Sequence, residues 1–116
     1  MKIVIAAALA LFSTAAVANP FAPPERFRGE PSVRYIVIPV PLSEMPKRCG
    51  QKPNPLAPLM GCAYTMRKPR LCVIHIPTRS FPNLTLSMFL YPVITPRMVL
   101  EHEKGHCKGW PANHPK

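Results

Sequence analysis

Two histidines four residues apart, His102 and His106, with Glu103 directly after the first, carry the strongest chemical signal in the chain. On an α-helix that spacing returns to nearly the same face one turn along, so both imidazoles reach one ion. Glu103 then sits beside the open coordination position, where a carboxylate accepts a proton from water without being a ligand itself. A third protein ligand is needed, and no Asp or Glu follows His106. Cys107, the next residue on the helix, is turned about 100° away from the ion. His114 is the expected third ligand, because Gly109 lets the chain turn back; His75, in the apolar string LCVIHIP at 71–77, is held in reserve.

The element that positions these residues has recognisable ends. Thr95 offers a hydroxyl cap and Pro96 occupies the first turn, where its missing donor costs nothing, while Gly109 supplies the stop. Gly105 inside this helix costs about 1 kcal/mol against Ala, so a packing or steric reason is expected, such as a crowded neighbour at the metal. Trp110 follows the stop; it suits a wall of the metal site, although a Trp beside a helix end more commonly anchors the core.

The segment HEKGHCKG at 102–109 resembles the zincin metallopeptidases, and its His106-x-x-Gly109 continuation is similar to the metzincin pattern. The resemblance implies His102 and His106 as Zn2+ ligands, Glu103 as general base and Gly109 as the turn toward the third ligand. Metzincins place that ligand where Ala112 stands here, and His114 comes two residues later. The ending HEKGHCKGWPANHP also resembles small exported or phage-related bacterial proteins with the tail HExGHCxGWPxxHP, which implies zinc binding more than proteolysis.

Lys2, the apolar run from Ile3 to Phe12 and the small residues Ala15 to Ala18 have the layout of a secretory signal peptide over 1–18, with cleavage after Ala18. The run is too short for a transmembrane segment and no second one follows, so a periplasmic or secreted protein is expected. Such a small domain gains from cross-links, and Cys49, Cys62, Cys72 and Cys107 are expected to form two disulfides in one of three possible pairings. All 17 prolines lie after residue 18 and interrupt regular structure. Residues 19–32 read as a Pro-rich leader outside the core, followed by a minimal zincin-like domain over 33–116.

Within that domain RYIVIPV at 34–40 suits a strand at an edge, and 44–61 reads as a long loop that Cys49 pins. CAYTM at 62–66, RKPR at 67–70 and LCVIHIP at 71–77 suggest a hairpin, whose second strand is a possible sheet edge for an extended peptide. Residues 84–91 suit either a strand or a short helical turn. The expected class is α+β: a short, Pro-interrupted antiparallel sheet with one C-terminal zinc-binding helix.

The net charge of +10 favours anionic partners, and export makes envelope components the expected ones, with no nucleic acid. The function expected is an exported zinc metallopeptidase that hydrolyses a peptide or protein substrate through zinc-bound water. Tyr64, Tyr91, His75 and Arg97 all have the chemistry to assist the oxyanion. Two other readings compete: a non-catalytic, disulfide-stapled zinc-binding module, and a basic module for anionic envelope components.

Overall fold

The computed structural model describes residues 19–53 and 59–116; the expected signal peptide at 1–18 lies outside the described residues. The architecture is α+β. Strand β1 (Tyr35–Val40) leads through a 3-10 turn into the single-turn helix α1 (Met45–Arg48). The hairpin β2 (Cys62–Arg67) and β3 (Arg70–Pro77) follows, then the short pair β4 (Phe81–Pro82) and β5 (Val93–Ile94), and finally α2 (Pro96–Cys107).

The main sheet has the order β1-β3-β2. β2 and β3 pair antiparallel with Cys62 opposite His75, as expected for a hairpin turning at Lys68-Pro69, while β1 adds to β3 in parallel with Tyr35 opposite Cys72. The sheet is therefore mixed. Pro39 lies in an outer strand, where its missing N–H removes no bond from a central ladder.

β3 is the central strand, which corrects its expected role as a sheet edge. Its apolar residues on both faces have that physical reason: Cys72, Val73 and Ile74 are all at most 3% exposed. The outer strand beside α2 is β2. Val40, Met45, Ile94, Met98, Val99 and Trp110 complete the core.

Two disulfides hold these layers. Cys72–Cys107 ties β3 to the end of α2, and Cys49–Cys62 ties the residue after α1 to the start of β2. The segment expected as a loop over 44–61 is helical at Met45–Arg48, because Pro46 at its first turn suits a helix start, and 54–58 lie outside the described residues. Residues 84–91 contain a 3-10 turn, Leu86–Phe89, rather than a strand.

The segment at 19–32 departs from its expected place outside the core. It runs as a strap along α2: Asn19 Nδ2 donates to the Met98 carbonyl at 3.0 Å, and Lys104 and Tyr35 both bond Glu30. Pro23 is fully buried. The strap contains a 3-10 turn, Glu25–Phe27, and its proline-rich part packs well because its rings are rigid and apolar. No described helix is long and apolar enough to cross a membrane.

Candidate metal centre

α2 is held at both ends. Thr95 Oγ1 accepts from the Met98 N–H at 3.2 Å, and Pro96 stands at the first helical position. At the other end Gly109, with φ +99°, turns the chain, and its N–H donates to the His106 carbonyl while that of Trp110 donates to the Gly105 carbonyl, both at 3.0 Å. That pair of bonds is a Schellman motif, and it folds the residues after the helix back toward the preceding turn.

The return brings three imidazoles together. His106 Nε2 lies 3.3 Å from His102 Nε2 and 3.1 Å from His114 Nε2. The far nitrogens of the first two rings are engaged by backbone carbonyls: His102 Nδ1 with Phe21 O and His106 Nδ1 with Trp110 O, each at 2.7 Å. A carbonyl only accepts, so each Nδ1 carries a proton, and in the neutral ring each Nε2 then presents a lone pair. Facing lone pairs repel unless a cation stands between them. Ligand nitrogens about 2.0–2.1 Å from a tetrahedral ion would be separated by about 3.3 Å, close to the spacing found. The residues present therefore fit a metal ion.

His114 reaches the cluster from a strained backbone, with φ 56° in the left-handed region, and its N–H donates to the Pro111 carbonyl at 3.0 Å. A histidine tolerates that region better than most residues, and departures of this kind gather at functional sites. Trp110, 7% exposed, stacks on His106 with 4.9 Å between centroids and meets His102 and His114 edge-on. It is both core anchor and wall of the site.

Burial drives the electrostatics. It pushes the His102 imidazole down to about 4, helped by the neighbouring His106 and His114 charges and opposed by the Phe21 carbonyl, and it also lowers His114. Neutral rings are the ligand form. Glu103 is 5% exposed, and burial raises its carboxyl to about 7. Its Oε1 lies 4.0 Å from His102 Nε2, beside the cluster.

An open cleft of about 1130 Å³ exposes this cluster, bordered by Gly61, Ala63, Thr65 and Tyr64 from the β2 side and by Glu103 and Trp110 from the helix. A Cβ on Gly61 would stand 2.6 Å from Val99 Cγ1 and 2.7 Å from the His75 carbonyl, so glycine is what lets β2 begin this close to α2. Of the four residues considered for oxyanion assistance, Tyr64 is the one that borders the cleft.

His75, the reserve ligand, is not part of this cluster. It is 5% exposed on β3 with Nδ1 3.5 Å from Cys62 Sγ, forming a second group with Cys49 and Cys62, both of which are spent in a disulfide. Sequence reasoning missed the two carbonyls that orient the rings and the strap that supplies one of them. Backbone carbonyls leave no mark in residue types. The strap did leave one: a Cβ on Gly105 would stand 2.7 Å from Pro23 Cβ and 3.1 Å from Trp110 Cε3, so the glycine inside the helix marks the close approach of Pro23.

The chain matches no protein-family profile, no curated protein and no solved structure.

Proposed function

We propose that this chain is an exported zinc-dependent peptidase, with His102, His106 and His114 holding the ion and Glu103 as general base. The observation that carries the reading is the convergence of three imidazoles, with His106 Nε2 at 3.3 Å from His102 Nε2 and 3.1 Å from His114 Nε2, all three ligand atoms within 4.8 Å of one another, and two of the opposite ring nitrogens spent on carbonyls. Three imidazoles without thiolate or carboxylate suit Zn2+, and leaving one position open is the habit of catalytic rather than structural zinc sites. The ion, when bound, supplies Lewis acidity that acidifies water and polarises a carbonyl.

The chain's own residues supply the rest. Glu103, held near neutrality by burial, accepts a proton from the attacking water and returns it to the leaving amine, a task that favours a pKa close to ambient pH. β2, the outer strand bordering the cleft among the described residues, offers its outer edge to an extended peptide, which pairs backbone to backbone. The Trp110 ring against all three imidazoles keeps water from the protein side of the cluster. The two disulfides suit an oxidising, extracytoplasmic compartment, in line with the apolar leader.

A second reading has its own observation. Cys107 follows His106 directly and is bonded to Cys72 on the central strand, so the centre is also part of the scaffold, as in a stapled module with structural zinc. Substituting Glu103→Gln separates the two. The peptidase keeps one equivalent of zinc and loses at least about a hundredfold in cleavage of a mixed peptide library, the usual weight of a general base. A wild-type protein that binds zinc and cleaves no peptide in that library leaves only the module.

A further inference from the structure

We propose that residues 83–92, between β4 and β5, form a membrane-docking tongue whose apolar tip enters the interface of an anionic lipid bilayer. The tip is apolar and uncovered: Leu84 is 79%, Phe89 86% and Leu90 80% exposed, with Met88 and Val93 beside them at 41% and 49%. Large apolar side chains grouped in this way mark an interaction surface rather than the scattered exposure of an ordinary protein surface.

The base of the tongue is built to hold that tip out. Asn83 is 3% exposed; its N–H donates to the Pro92 carbonyl at 2.9 Å and its Nδ2 to the Tyr91 carbonyl at 2.7 Å. Its Oδ1 accepts from the N–H and hydroxyl of Thr85 at 2.9 and 2.6 Å. These bonds join the two arms where β4 and β5 pair through Phe81 and Ile94. Leu84, Met88, Phe89 and Leu90 thus stand exposed on a fixed footing.

Charge selects the partner. The five acidic residues all lie at or before Glu44 or at and after Glu101, while eight Lys and Arg fall between them. The tongue therefore emerges from a stretch with cations only, flanked by Arg79 before β4 and Arg97 after β5, both exposed; Arg97 shares its charge with Glu101 at 3.7 Å. Two arginines at the foot of an apolar tongue, on a chain with a net charge of +10, suit anionic headgroups over a hydrocarbon boundary, whereas two copies meeting through the same face would bring like charges together. The tongue lies outside the histidine cluster, and its docking needs no metal ion.

The test places a reporter on the tip. Trp110 is the chain's single tryptophan, so Phe89→Trp adds one new signal to a known background. With vesicles of phosphatidylglycerol and phosphatidylcholine at about 1:2, fluorescence of the introduced indole should shift to the blue and be quenched by brominated acyl chains, while the wild-type signal does not change. Adding Leu84→Ser and Leu90→Ser should weaken that partitioning at least tenfold, and raising salt from about 50 to about 500 mM should weaken it by a similar factor. Circular dichroism checks that the variants remain folded. An introduced indole that stays water-exposed with these vesicles overturns the proposal, as does equal partitioning into pure phosphatidylcholine. A blue shift that grows with protein concentration in the absence of lipid assigns the patch to a second copy and also overturns it.

Discussion

The Phe21 carbonyl stands 2.7 Å from His102 Nδ1, so a residue of the proline-rich strap sets the tautomer of an imidazole on α2. Partners that orient a metal-binding histidine commonly contribute about 10- to 100-fold in metal affinity. Pro23, two residues on, locks this part of the strap against Gly105. Pro23→Gly removes the ring contact and loosens the backbone that carries the Phe21 carbonyl. It is expected to lower zinc affinity about tenfold or more while the protein remains folded. Competition with a chromophoric chelator measures this, and an unchanged affinity would mean that the strap does not position His102.

Gly105→Ala tests the same contact from the helix side. Alanine favours an α-helix by about 1 kcal/mol over glycine, so an open position would gain stability. Here the new Cβ would meet Pro23 Cβ at 2.7 Å and Cγ at 2.9 Å, and a proline ring in a buried strap has little freedom to move. Overpacking of this kind costs about 1–3 kcal/mol. The variant is expected to unfold at lower urea concentration than wild type; equal or greater stability would show that the strap yields.

The parts of the molecule that were legible in the sequence were those set by local chemistry. Thr95-Pro96 and Gly109 delimit α2 because capping and chain reversal depend on those few residues alone. RYIVIPV and the 62–77 hairpin became strands because β-branched and aromatic residues suit a pleated surface. What stayed hidden depends on distant segments meeting. β1 joins β3 in parallel across the whole α1 and β2 region, and apolar residues on both faces of β3 signal burial without saying which strand lies in the middle. Composition assigned residues 19–32 to solvent, yet Pro23 is buried because α2 has a glycine under it.

The metal-free protein has two buried groups whose titrations oppose each other. Glu103 is raised from 4.5 to about 7, so its contribution is complete below pH 4.5 and is lost as pH rises through 7. His102 is lowered from 6.5 to about 4, so its contribution is complete above pH 6.5 and is lost as pH falls through 4. Between about pH 4.5 and 6.5 the folded state holds one proton more on Glu103 and one fewer on His102 than the unfolded chain, and the two slopes cancel. Glu103→Gln removes one side of the balance. Chelated protein carrying it is expected to gain stability with rising pH from about 4 to 6.5, where the chelated wild type is nearly flat, and to exceed wild type at pH 8 by about 2–3 kcal/mol. Urea titrations across this range decide the matter; parallel pH profiles for the two proteins would mean that Glu103 is not charged at a cost in the fold.

His114 separates the backbone's contribution to the centre from the ring's. Its φ of 56° favours glycine, whereas its imidazole at 3.1 Å from His106 is needed only if an ion is held. In His114→Gly the lost strain, about 1–2 kcal/mol, is set against the greater freedom of glycine in the unfolded chain, so metal-free stability should stay within about 1 kcal/mol of wild type. His114→Ala keeps the strain and loses the ring. Both variants should bind zinc at least about a hundredfold more weakly, because a two-imidazole site leaves the ion held by α2 alone. Equal zinc affinity for wild type and both variants would remove His114 from the ligand set and leave His102 and His106 as an incomplete pair; a loss in His114→Ala that His114→Gly restores would assign the effect to backbone strain rather than to coordination.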